Sequence, residues 1–186
     1  MPVLFVLACL LCGLYGALHN QLSYTISPEY FTKFKFAQFQ VSPHLPDRVG
    51  AAWVGWQASW WMGVVIGFFL IPAGLLIRDT NGFIVAVLRA FLVVLITTVC
   101  CGLAACFIAY AVIHADPTDR YVYRDTVISD AAAFRRAGAL HNFSYLGGLI
   151  GIFTGLTSIF RAFFAENARL QSPEPKVDDR QPSENV

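Results

Sequence analysis

The chain carries four histidines, and imidazole is the side chain best suited to metal ligation or proton transfer near neutral pH. Two of them, His19 and His141, stand in the same pentapeptide, GALHN, at residues 16–20 and again at 138–142. Each copy is followed closely by a Ser-Tyr pair, Ser23-Tyr24 and Ser144-Tyr145. Imidazole together with carboxylate suits zinc, iron, copper or manganese. His19, Glu29 and His141, completed by His114, therefore form a candidate shell for a transition metal, and His44 is the remaining imidazole. Ser144 and Tyr145 lie three and four residues after His141, on one helical face. There they serve either as hydrogen-bond partners of a ligating ring or as a polar contact between helices. Tyr24 closes the pair after the first copy, one residue further from its histidine than Tyr145. No H-E-x-x-H or E-x-x-H motif accompanies these residues, so the shell depends on topology rather than on a local pattern. The competing reading is four histidines placed at a membrane interface with no ligand between them.

The elements that must position these groups are apolar. The chain of 186 residues is 56% apolar and only 13% charged, with a mean hydropathy of +0.57, outside the soluble range. Four apolar stretches, residues 3–18, 49–77, 83–113 and 139–164, approach or exceed the roughly 20 residues that cross a bilayer as a helix. The sequence thus predicts an all-α integral membrane four-helix bundle with a long polar and aromatic loop between helices one and two. A transmembrane domain over residues 1–165 and a disordered polar tail over 166–186 follow, the tail being rich in Pro, Ser, Glu, Asp and Asn. The first stretch is short enough to be a signal peptide, but no Lys or Arg precedes it and GALH is a poor cleavage site. A retained helix is the expectation.

Four crossings put both termini on one side, with loops 19–48 and 114–138 on the other. Every histidine falls on that second side, and His19, His114 and His141 come to nearly one membrane depth. Lys and Arg are divided almost evenly between the sides, so charge does not orient the chain. The polar tail favours cytoplasmic termini. The turn at 78–82, RDTNG, makes helices two and three a hairpin, and Arg89 sits close enough to that interface to snorkel.

Trp53, Trp56, Trp60 and Trp61 open helix two; they form either an aromatic belt or, since 53, 56 and 60 share a face, the lining of a pocket. Gly63, Gly67 and Gly74 in helix two and Gly147, Gly148, Gly151 and Gly155 in helix four suggest that these two helices touch. In the long loop, Ser27-Pro28-Glu29 has the composition of a helix start. The alternation of Lys33 and Lys35 with Phe34 and Phe36 then reads as a strand. The second loop, around 116–125, mixes both charge signs and reads as solvated. The five cysteines all lie in apolar helices, where a thiolate is disfavoured, and are read as packing residues. No basic stripe with interleaved aromatics is present, which sets nucleic acid aside.

The run HNQLSYTISPEYFTKFKFAQF, the Trp-rich start of helix two and HNFSYLGG resemble a family of small bacterial four-helix membrane proteins with an H…SPEYFT segment and an HxxSY motif. The resemblance covers most of residues 15–150. It implies a bacterial inner-membrane protein and singles out His19, Glu29, Tyr30, Phe31, Thr32, His141, Ser144 and Tyr145, while no activity, substrate or cofactor comes with it. Three functions stay open: a metal-binding or metalloenzyme site on the His/Glu cluster, an accessory subunit binding a protein partner or a second copy through Trp56 and the SPEYFTKFKF loop, and, less favoured for want of intramembrane charge, a small transporter.

Overall fold

The computed structural model describes residues 1–116 and 121–171. Four of its helical segments are long and apolar enough to cross a membrane. The first is α1 (Pro2–Ile26). The second is one path of 28 residues made of α4 (Asp47–Ser59) and α5 (Met62–Gly74). At Trp60 and Trp61 the ladder tightens, with the N–H groups of Gly63 and Val64 donating to the Trp60 and Trp61 carbonyls at 3.0 Å. The third and fourth spans are α6 (Thr80–Val112) and α7 (Ala131–Gln171). The last helix thus starts before residue 139 and runs on through residues 166–171, which the composition had placed in the tail. The rest of that tail, 172–186, lies outside the described residues.

Glycine decides which helices touch. A Cβ on Gly55 would overlap the Gly16 carbonyl, and one on Gly63 would overlap the backbone of Ala8 and Cys9. These glycines therefore press α4 and α5 onto α1. Gly147 and Gly151 lie against the backbone of Thr98 and Val94, which joins α7 to α6. In lipid, helices associate by close packing and not by exclusion of water, so such small-residue seams carry the association. Helices two and four also touch, as expected: Gly155 meets Leu70, and Ile66, Leu70 and Ile71 share a buried core with Ile152 and Ile159. The glycines chiefly bind helix two to helix one, and helix four to helix three.

On the membrane face that holds the histidines, the segment after α1 is helical and not an open loop. Ser27 caps α2 (Pro28–Tyr30), its hydroxyl accepting from the Tyr30 N–H at 3.2 Å. The chain continues through a π-helical turn (Phe31–Lys35) into α3 (Phe36–Gln38). The expected strand at the Lys/Phe alternation is absent: the segment is a π turn in which Phe31 is buried and Lys33 pairs with Glu29, four residues before it. The 116–125 region also departs from a solvated loop. Residues 117–120 lie outside the described residues, but β1 (Tyr121–Tyr123) pairs antiparallel with β2 (Thr126–Ile128), so the fold is not purely helical. Arg124 and Asp125 both take positive φ, 47° and 63°, the backbone of a tight two-residue hairpin turn. The hairpin lays Tyr121 and Tyr123 on Phe134, with ring centroids 5.7 and 5.4 Å apart. Tyr30, Phe31, Phe134, Ala51, Ala137 and Ile128 form a buried aromatic cap over this end of the helices.

On the opposite face the connection is short. Asp79 caps α6 by accepting from the Gly82 N–H at 2.6 Å. The N–H groups of Arg78 and Asp79 donate to the Glu166 carboxylate at 3.2 Å each, so α7 holds the α5–α6 turn.

Candidate functional site

The two GALHN copies meet. His19, in the last turns of α1, and His141, in the third turn of α7, place their rings 4.9 Å apart, edge to face. The Asn20 amide nitrogen donates to the Ala51 carbonyl at 2.9 Å, and its amide oxygen faces His19 Nδ1 at 3.4 Å. His19 Nε2 meets the Ser144 hydroxyl at 3.0 Å, and the Leu140 carbonyl also accepts from this ring. His141 Nδ1 lies 3.2 Å from the Ala137 carbonyl and 3.3 Å from the Ser23 hydroxyl. The carbonyl again requires a donor, which leaves His141 Nε2 as an acceptor. Asn20, Ser23, His141 and Ser144 are all buried. Groups buried this far from water need such partners, because an unpaired one costs about 1–3 kcal/mol.

Glu29 does not join the histidines. Its carboxylate accepts from the Ser129 and Asp130 N–H groups at 2.9 Å each and pairs with Lys33. Lys33 in turn donates to the Val127 carbonyl at 2.9 Å. Burial raises the Glu29 carboxyl pKa, but the Lys33 ammonium and the two backbone donors more than offset it and hold the group below its ordinary range. The residue is a clamp between α2 and the start of α7. His114 and His44 lie exposed, beyond the C-terminal end of α6 and before α4. Among the described residues, no group of three His, Cys, Asp or Glu side chains stands ready to hold a metal ion. The fold brings His19 and His141 together, but His114 stays apart and the Glu29 carboxylate has backbone donors of its own.

The remaining expected residues divide. Ser144 is hydrogen-bonded to His19, whereas Tyr145 is partly exposed beside it. Tyr24 donates to the Asp47 carboxylate at 2.9 Å and lies under Arg48, tying α1 to α4. Trp56 packs its indole on Gly13 of α1, while Trp53, Trp60 and Trp61 are exposed. The shared Trp face is thus split between a helix contact and the surface.

Beside the histidine pair lies a cavity of about 220 Å³ between the α1/α4–α5 pair and the α6/α7 pair. Its body is mainly apolar, with Leu11, Met62, Ile66, Phe91, Leu92 and Leu95 among its walls, and carries the hydroxyls of Ser59 and Thr98. Its polar groups collect toward the aromatic cap, where His19, Asn20, His141, Ser144, Tyr145 and Lys35 reach it. A second space, of about 380 Å³, runs between α1 and α6–α7 on the far side of Tyr15, His19 and Ser144, which line both. Sequence reasoning missed Asn20 and Ser23 as partners of the imidazoles, although both stand within a turn of His19. It also missed Lys35, whose reach into the cavity depends on the π turn.

Ser144, His19 and Asn20 have the order of a hydroxyl, a base and an orienting group. Ser144 lies in mid-helix, however, where the backbone N–H groups are committed to the helix ladder and none is available as an oxyanion donor. No family model, curated protein or solved structure matches the chain.

Proposed function

We propose that the protein is a membrane-embedded binder of a small lipophilic molecule, which lies in the interhelical cavity with its polar head on the His19–Ser144–His141 cluster. The observation that carries this is the distribution of polarity within the cavity: mostly apolar side chains along its length, with the hydroxyls of Tyr15, Ser59 and Thr98 among them, and the largest group of polar side chains at one end. The cavity reaches from Ala8 to Asn20 along α1, which at 1.5 Å per residue is about 18 Å, enough for an extended chain or a small ring system with a tail. The membrane is taken to be a bacterial inner membrane with both termini in the cytoplasm, a placement supported by the family resemblance and the polar tail.

The test is extraction of the purified protein and mass spectrometry of what it carries. A stoichiometric lipophile is expected in the wild type and its loss in Gly148→Leu, because a side chain added at Gly148 projects into this space with only the Thr98 hydroxyl within 4 Å. Equal loading of wild type and variant would overturn the reading.

A transition metal bound by His19 and His141 is the second reading, favoured by the 4.9 Å between the rings. With His19 Nε2 occupied by Ser144, an incoming metal must displace that hydroxyl. Metal retained by the wild type and lost from a His19→Ala/His141→Ala double variant supports it; metal-free protein with the rings in place overturns it.

A further inference from the structure

The polar end of the cavity has an electrical sign. Lys35 is the one residue with a permanent charge among the residues that line it, and no Asp or Glu lines it at all. The ammonium is poorly compensated. It donates to the Gln38 amide oxygen at 3.1 Å and lies 4.5 Å from the Phe34 ring centroid and 5.6 Å from that of Tyr30. It makes no ion pair among the described residues, since Glu29 is taken by Lys33. Burial, and then the neighbouring Arg124, lower the Lys35 pKa, so the folded protein disfavours this charge where it stands. The other groups at this end, the Tyr145 hydroxyl and the second N–H of the Asn20 amide, are neutral and can donate hydrogen bonds. One cation with neutral donors around it suits an anion of single charge.

Resting on the reading of the cavity as a lipophile site, we infer that its ligand is a long-chain carboxylate, such as a fatty acid, whose head pairs with Lys35 at the aromatic cap while its chain occupies the slot between the helix pairs. A phosphate monoester carries more than one charge near neutral pH, and here it meets only a single lysine.

The experiment measures binding of laurate, lauryl alcohol, methyl laurate and lauryl phosphate to the full chain in amphipol by equilibrium dialysis, using wild type, Lys35→Met and Lys35→Arg. Thermal melts establish that each variant is folded. Laurate is expected to bind the wild type ~10- to ~100-fold more tightly than the alcohol or ester, the range of a charge-assisted hydrogen bond. Lys35→Met should abolish that preference, and Lys35→Arg should restore it. Equal affinity for laurate and alcohol in the wild type, a preference that survives Lys35→Met, or tighter binding of lauryl phosphate overturns the carboxylate assignment while leaving the cavity reading intact. Failure of all four probes to bind overturns both.

Discussion

The seams inside the two helix pairs and the space between the pairs are built from the same residue types and do opposite things. Within the α1/α4–α5 pair, Gly16 and Gly55 bring backbone against backbone, and within α6/α7, Gly147 sits on the Thr98 backbone. Nothing larger than hydrogen fits there. Between the pairs, Gly148 has only the Thr98 hydroxyl within 4 Å, and the walls stand apart around a cavity. The pairs are joined across this gap mainly at its ends. At one end stand the His19–Ser144 and Ser23–His141 hydrogen bonds with the aromatic cap above them. At the other, Leu70 meets Gly155 and Glu166 holds the α5–α6 turn. Close-packed pairs with a spaced, end-linked interface leave a cavity between them without loosening either pair.

The hardest way to break that contrast is to fill a seam. In Gly55→Ala the new methyl falls on the Gly16 carbonyl carbon and the Ala17 nitrogen. Neither is a side chain that can rotate away, so the helices must separate. We expect a loss of about 3 kcal/mol, read as a lower midpoint in SDS denaturation from mild-detergent micelles. A midpoint equal to wild type would mean that the pair is not held by this seam.

The end link at the histidines comes next. His141→Phe keeps an aromatic ring in the cap but removes the nitrogen that meets Ser23 and the Ala137 carbonyl. Stranding those groups costs about 1–3 kcal/mol, and the same denaturation assay reads it. Pairing this change with Ser23→Ala should recover part of the loss, because the stranded hydroxyl is then gone; a strictly additive double variant would deny the link.

How far these features can be read from residues follows from how local their causes are. The four spans are local, since apolar length alone marks them, and the Ser27 cap is local because Ser-Pro-Glu supplies it. The meeting of His19 and His141 is not local, but it follows from counting crossings. The π turn is hidden because Lys33-Phe34-Lys35-Phe36 imitates the period of a strand. The hairpin at 121–128 is hidden because its positive-φ turn uses Arg124-Asp125 where Asn-Gly is the usual signal. Glu29 was placed in the wrong company for a deeper reason. Its partners are backbone N–H groups at Ser129 and Asp130, and a backbone donor leaves no trace in the sequence.

The Glu29 clamp gives a smaller effect, with a defined pH sense. A carboxyl whose folded pKa lies below its unfolded value contributes stability that is complete above the unfolded value and lost as pH falls through the folded one. Wild type should therefore lose cap stability on acidification below about pH 4, seen as a falling thermal midpoint of tyrosine fluorescence. Glu29→Gln should have a lower midpoint at neutral pH and a shallower dependence below it. If wild type and variant fall in parallel, another carboxylate carries the acid sensitivity.

The smallest expected change lies one residue from a large one. Gly147 and Gly148 are neighbours on α7, but a methyl on Gly147 meets Cys101 Cβ at 2.7 Å and Thr98 Cα at 3.0 Å, whereas a methyl on Gly148 meets only the Thr98 hydroxyl at 3.9 Å. Alanine is the better helix former by up to about 1 kcal/mol, so Gly148→Ala should leave the denaturation midpoint unchanged or slightly raised while Gly147→Ala lowers it. Because both substitutions add the same methyl to the same helix, composition and propensity cancel in the comparison. The difference between the two midpoints reports only which side of α7 faces a seam and which faces the slot. Equal midpoints would mean that the helix pairs close onto each other in the membrane and that the cavity is not there to receive a ligand.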